Sequence, residues 1–214
     1  MRKHLLLLLF AALCCNGLFA QEECEDDRPL RIAIGPKVGV GLGMGSHSNL
    51  ENINFGMGLG YQLGAAFNAQ FGRRTELSCG GTGWFGLQVE ALYGGRNIKL
   101  GSSSLGTSCL EVPVLAQLYF TPSFALQAGA TAVMILKGTP DELYYEGATY
   151  GTGEIKGKDV MITAGLAYKA RLNDNSALLI DARYNMGMSN LAGNFDTKVS
   201  SVMLSLSYLF NIVK

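Results

Sequence analysis

The chain has 214 residues, 17 basic and 17 acidic side chains and no formal net charge; 48 % of it is hydrophobic and only 16 % charged, against about 25 % charged in an ordinary soluble domain. Its 28 glycines are roughly twice the usual share of about 7 %. This balance excludes a disordered chain, a Glu- and Lys-rich coiled coil and a basic nucleic-acid-binding surface, and beyond position 20 no apolar run approaches the roughly 20 residues a spanning helix needs.

Residues 1–20 read as a secretory signal: Arg2, Lys3 and His4 give a positive start, residues 5–13 are unbroken apolar, and Phe19-Ala20 precedes Gln21 as a cleavage point. Cys14 and Cys15 invite a lipoprotein reading, but Leu13 is bulky where such processing wants a small residue. Loss of Arg2 and Lys3 leaves 15 basic and 17 acidic residues. An acidic lead over 22–27 follows.

From Ile34 onward, long stretches of strict apolar/polar alternation are punctuated by turns. In 57–71, Met57, Leu59, Tyr61, Leu63, Ala65, Phe67, Ala69 and Phe71 interleave with Gly58, Gly60, Gln62, Gly64, Ala66, Asn68 and Gln70. A period of two over that length means a strand, because successive side chains point to opposite faces. The same reading predicts strands over 34–43, 57–71, 84–93, 110–120, 124–136, 160–172, 177–186 and 199–210. Thr121-Pro122-Ser123 and Asn173-Asp174-Asn175-Ser176 are tight turns. Segments 44–56, 94–109, 137–159 and 187–198 read as long polar loops, and 72–83 as a medium link. Short turns at one rim, long loops at the other and an even strand count are the build of an outer-membrane barrel.

Alternation also suits a soluble barrel of the lipocalin kind, and three features decide against it. The polar face is also the small one, crowded with Gly39, Gly41, Gly58, Gly60, Gly64 and Gly129; this fits a narrow interior, whereas bare glycine on a wet exterior weakens strands for no gain. Phe71, Trp84, Phe85, Phe120, Phe124, Tyr168, Tyr208 and Phe210 gather at the short-turn ends, as an aromatic girdle does at the membrane–water boundary. The apolar face is nearly free of charge, which would cost roughly 2–4 kcal/mol at the bilayer midplane. Lipid offers no hydrogen bonds, and a closed sheet satisfies every backbone group internally. The fold class is therefore all-β, an eight-stranded antiparallel transmembrane β-barrel, with 1–20 a cleaved signal peptide, 21–33 a polar periplasmic tail and 34–214 the outer-membrane β-barrel domain of a Gram-negative bacterium. Eight strands leave an interior that side chains just fill, which disfavours a diffusion porin.

Four segments bear a family resemblance. Leu110-Glu111-Val112-Pro113-Val114-Leu115-Ala116 resembles the "LEIP-apolar" strand of the small PorT-like outer-membrane barrels of Bacteroidota. Leu87-Gln88-Val89-Glu90-Ala91-Leu92-Tyr93 resembles their "E-L-x-Y" strand, the run from Asp181 to Leu191 their "RYxxGLxNL" segment, and Tyr208-Leu209-Phe210 their C-terminal end. The link 72–83, with Cys79, departs from a tight turn. The resemblance implies an outer-membrane barrel; some relatives act in secretion or assembly, a role that strand motifs do not transfer.

Candidate sites follow from the phase of the strands. Lys37, Glu90, Glu111, Lys169, Arg171, Asp181 and Arg183 all fall on the inward face. Confined charges must pair, so Glu90 and Glu111 are expected to be bridged by Arg183 or Lys37 across the lumen, either as a structural network or as a gate or catalytic site. A lipid-modifying barrel enzyme needs a serine activated by an oriented histidine; beyond position 20 the only histidine is His47, in a predicted loop unsuited to preorganised geometry. Cys24, Cys79 and Cys109 are too few and too scattered for zinc. Cys79 and Cys109 fall at opposite rims, whereas a disulfide needs Cα atoms within about 7 Å. Either Cys24 and Cys79 form a periplasmic disulfide with Cys109 free, or all three are reduced. Tyr144, Tyr145 and Tyr150 mark a loop that either binds a partner or is simply solvated.

The expected function is a structural or partner-binding outer-membrane barrel without cofactor or metal. Its partners are outer-membrane lipid and a protein met through extracellular loops or the periplasmic rim, with no nucleic acid. The alternatives are a lipid-modifying barrel enzyme and a narrow gated pore.

Overall fold

A computed structural model describes residues 30–47, 55–71, 84–100, 103–121, 123–139, 142–145, 148–151, 157–173, 175–188 and 197–213. The alternating segments become β1 (Leu30–His47), β2 (Phe55–Phe71), β3 (Phe85–Leu100), β4 (Ser103–Tyr119), β5 (Phe124–Thr139), β8 (Lys158–Asn173), β9 (Ser176–Gly187) and β10 (Thr197–Val213). Each pairs antiparallel with its neighbours in the order β1-β10-β9-β8-β5-β4-β3-β2, and the β1–β2 ladder closes the ring. The seam is the β1–β10 ladder, which runs from Ile32↔Val213 to His47↔Thr197. Two short strands, β6 (Glu142–Tyr145) and β7 (Ala148–Gly151), pair only with each other.

The strands outrun their predicted ends, chiefly at the long-loop rim. β3 and β4 stay paired from Gly95↔Ser108 to Leu100↔Ser103, so most of the expected loop 94–109 is strand. Its alternation continues past Tyr93 with Gly94 and Arg96 facing inward and buried. β1 begins at Leu30, paired with Phe71, which shortens the expected tail 21–33. The segment 137–159 contains the β6–β7 hairpin, with Leu143↔Tyr150, Tyr144↔Thr149 and Tyr145↔Ala148 in register; backbone pairing there replaces the simple loop that glycine content suggested.

Burial inverts the pattern of a water-soluble protein. Outward Val40 and Leu59 are 62 % and 73 % exposed, while inward Lys37 and Gln62 on the same strands are 1 % and 5 % exposed. A continuous apolar exterior of this extent has no stable counterpart in water and suits hydrocarbon. At the short-turn rim, Phe71 packs on Phe85 with ring centroids 6.4 Å apart, Phe120 on Phe124 at 6.1 Å, Phe124 on Tyr168 at 4.8 Å and Tyr208 on Phe210 at 4.7 Å. That girdle lies where the sequence placed it.

Glycine lets the wall bend. The β2–β3 register shifts between Met57 and Tyr61, and the outward Tyr61 ring lies over Gly95, where an added Cβ would meet a ring carbon at 2.5 Å. The aromatic ring thus covers a site that admits no side chain, a known way of pinning strand register. Across β2, a Cβ on Gly43 would come within 2.8 Å of the Asn97 carbonyl, so β1 approaches β3 at this corner.

Candidate functional site

The inward faces of β1, β3 and β9 bring four charges together at the middle of the lumen. Lys37 Nζ donates to Glu90 Oε1 at 2.9 Å and to Asp181 Oδ2 at 2.7 Å. Arg183 grips Glu90 with both ends of its guanidinium, Nη1 to Oε2 at 2.8 Å and Nη2 to Oε1 at 2.6 Å. Its Nε also lies 2.7 Å from Asp181 Oδ1; that contact is an ion pair without hydrogen-bond geometry, since neither atom has a hydrogen-bond partner. Two cations face two carboxylates, so the cluster is neutral. The side chains of Lys37, Glu90 and Asp181 are wholly shielded from solvent, and in a dry interior that shielding is tolerable only because each charge is matched.

A second pair sits towards the long-loop rim, where Arg96 Nε donates to Glu111 Oε1 at 2.9 Å and Nη2 lies 2.8 Å from Oε2. Cys109 Sγ lies 3.2 Å from Glu111 Oε1 and 3.6 Å from the Gly94 carbonyl. It is a free, buried thiol. Between the central cluster and the short-turn rim the lumen is filled by amides. Gln88 donates to Glu90, Gln117 to Gln88 at 2.5 Å, and Asn68 and the Tyr119 hydroxyl to Gln117 Oε1 at 2.7 and 2.8 Å. Beside them Ala33, Ala66, Tyr119, Ala125, Ala167, Leu179 and Leu209 form a small buried apolar cluster. Above the central charges, Thr163 Oγ1 pairs with Thr131 at 2.7 Å and donates to Asn185 Oδ1 at 2.8 Å.

Of the residues chosen from sequence, Lys37, Glu90, Asp181 and Arg183 converge, and Glu111 and Lys169 are buried in the lumen apart from them. Two expectations about the inward charges need correction. Glu111 is held by Arg96, not by Arg183 or Lys37, because β4 sets it opposite Leu92, a step nearer the long-loop rim than Glu90. Arg171 has the inward phase but is exposed, because it lies at the register shift next to the β8–β9 turn, where the wall ends. Arg96 is the residue that sequence reading missed. It keeps the phase of Glu90 on the same strand, so continuing the alternation beyond Tyr93 would have found it.

His47 is the final residue of β1, its backbone opposite Thr197, not part of the predicted loop. The backbones of Tyr144, Tyr145 and Tyr150 lie in the β6–β7 hairpin. Cys24 and Cys79 fall outside the described residues. Among the described residues no group of three His, Cys, Asp or Glu side chains is placed to hold a metal ion.

The sequence matches, over residues 19–193, the family model described as outer membrane protein beta-barrel domain. Among solved structures it is similar to Ail, the attachment invasion locus protein of Yersinia pestis, with 16 % identity, covering 84 % of this chain and 99 % of that one at a TM-score of 0.41. Neisserial surface protein A shares 13 % identity over 85 % of this chain and 97 % of its own, with a TM-score of 0.43. The outer membrane protein AlkL shares 11 % over 92 % and 96 %, with a TM-score of 0.44. No curated protein matches the sequence.

Proposed function

Because the chain belongs to the outer membrane protein beta-barrel domain family, we propose that it serves in the outer membrane as a closed barrel with a structural or partner-binding role, neither transporting solutes nor carrying out catalysis. One observation carries this reading: the Lys37–Glu90–Asp181–Arg183 cluster and the amides beneath it occupy the lumen with solvent-shielded side chains. A solute would have to break matched charges in a dry site, at about 3–5 kcal/mol for each pair lost. Planar-bilayer recording of the purified protein tests it. Silence at the protein density where a porin control conducts supports the closed barrel, and reproducible single-channel steps overturn it in favour of a narrow pore.

The partner surface is read as the rim that bears the β3–β4 extension and the β6–β7 hairpin. Excision of 142–151 should abolish co-purification of the partner protein from native membranes; an unchanged set of co-purifying proteins removes the hairpin from this role. Against the enzyme reading, the purified protein and its His47→Ala variant should both fail to release fatty acid from outer-membrane lipid, and release by the parent that the variant loses would restore it. The order of the four strand motifs supports a place among the PorT-like barrels of Bacteroidota. Residues 1–20 are read as a cleaved signal, so the N-terminal sequence of the membrane-inserted protein should begin at Gln21. Cys24 and Cys79 are read as a disulfide, which non-reducing peptide mapping tests directly.

A further inference from the structure

Charge is divided unequally between the inside and the outside of the wall. The barrel strands contain four carboxylates, Glu90, Glu111, Asp159 and Asp181, and each is buried. Lys37, Arg96 and Arg183 answer them within the lumen, whereas Lys137, Lys158 and Lys198 are exposed. These three lysines stand at the long-loop rim, near the end of β5 and at the starts of β8 and β10, and β5, β8, β9 and β10 are successive in the ring. All three point outward. Lys158 is paired with Met134 and Lys198 with Ser46, in the phase of the outward Val160 and Val202. In a regular strand Lys137 would share the inward phase of Val133 and Ile135. The register shift between Ser108 and Cys109 instead sets it opposite Ser108, which has the phase of the outward Leu110, so the irregularity turns Lys137 to the outer face.

Directly below the lysines the outer wall is apolar, with Met134, Val160, Ile162, Met186, Met188 and Val202 all exposed. The Met188 N–H donates to the Val160 carbonyl at 3.0 Å, so the sheet is continuous between β8 and β9 up to this rim. A lysine at the edge of hydrocarbon lays its stem on apolar side chains and lifts its ammonium into the headgroup layer. One such ammonium needs no particular ligand, but three on one arc, with no strand carboxylate on that face, select for negative charge. From β5 to β10 the arc spans three strand spacings, about 15 Å, wider than a single phosphate group. We infer that the outer face of β5, β8, β9 and β10 binds a lipid with two phosphates on its headgroup. The phosphates lie among Lys137, Lys158 and Lys198, and the acyl chains lie on the apolar wall beneath. The inference rests on the barrel standing in the outer membrane with its long-loop rim outward, which makes the lipid one of the outer leaflet.

The test uses the full chain folded in zwitterionic detergent micelles, with heat-resistant migration on gels to verify the barrel. Native mass spectrometry counts bound lipid while lipid A, an acylated glucosamine disaccharide with two phosphates, is titrated in. One lipid per barrel is expected to be retained, more tightly than its form with one phosphate. Lys137→Gln, Lys158→Gln and Lys198→Gln should each weaken binding about fivefold, the worth of one lysine beside an anionic lipid. Exposed positions such as these tolerate substitution. Arg171→Gln removes an exposed cation at the opposite rim and should leave binding unchanged; an equal weakening there shows only general charge attraction and overturns the proposal. Phosphatidylcholine held as tightly as lipid A also overturns it, because the apolar wall alone would then suffice. Displacement of the lipid by an equal concentration of inorganic phosphate overturns the lipid as the occupant. Insertion into phosphatidylcholine vesicles is read separately. Protein that inserts but retains no lipid A overturns the lipid surface alone, whereas failure to insert overturns the membrane reading beneath it as well.

Discussion

The lumen has two ion clusters, and they hold the barrel in different ways. The central cluster joins β1, β3 and β9, with partners as far apart as 144 positions in sequence, so its bonds cross the lumen and brace walls that share no ladder. The upper pair, Arg96 with Glu111, joins adjacent strands 15 positions apart that the β3–β4 backbone ladder already fixes. Its side chains are each 6 % exposed, against 0 % for Lys37, Glu90 and Asp181. The same chemistry therefore determines the cross-section of the barrel in one place and trims its rim in the other.

Four changes probe that difference, all read as the shift in folding free energy in urea titrations with lipid vesicles present. Glu90→Gln strands Lys37 and Arg183 with only Asp181 between them and should cost about 3–5 kcal/mol, the penalty for breaking a buried pair. A loss below about 1 kcal/mol, the range of exposed pairs, would mean that water reaches the cluster. Leu204→Arg, on the outer wall opposite Val40, should cost about 2–4 kcal/mol in lipid, while leaving the lumen network intact. Glu111→Gln should cost about 1–3 kcal/mol, the range for a buried donor that loses its partner, and its effect should add to that of Glu90→Gln if the clusters are independent. Arg171→Gln, on an exposed rim side chain, should stay within about 0.5 kcal/mol.

Strand identity, sidedness and the aromatic girdle were legible because each rests on a period of two that one residue after another repeats. Phase also gave the inward set, including Lys37, Glu90, Asp181 and Arg183. It did not tell which charges meet, since partnership depends on the stagger of strands around the ring: Glu111 faces Leu92 on β3, and that offset hands it to Arg96. Nor does phase say where the lumen stops, so Arg171 looked as buried as Lys169. The β3–β4 extension was hidden by its composition. Glycine and serine across 94–109 are the residues of loops, yet the β3–β4 backbone ladder continues through them to Leu100↔Ser103. The β6–β7 hairpin was obscured in the same way, as backbone pairing leaves little trace in so short a segment.

The seam between β1 and β10 has a consequence for biogenesis. The first and last barrel strands are mutual neighbours, and until they meet each presents a bare row of amide donors and acceptors along its free edge. Such edges recruit other chains as readily as their own partner, and a contact so remote in sequence is slow to form. The unfinished sheet is therefore most vulnerable just before its final join, and a chaperone or insertion machine that masks the β1 edge until β10 arrives would give the greatest protection against aggregation.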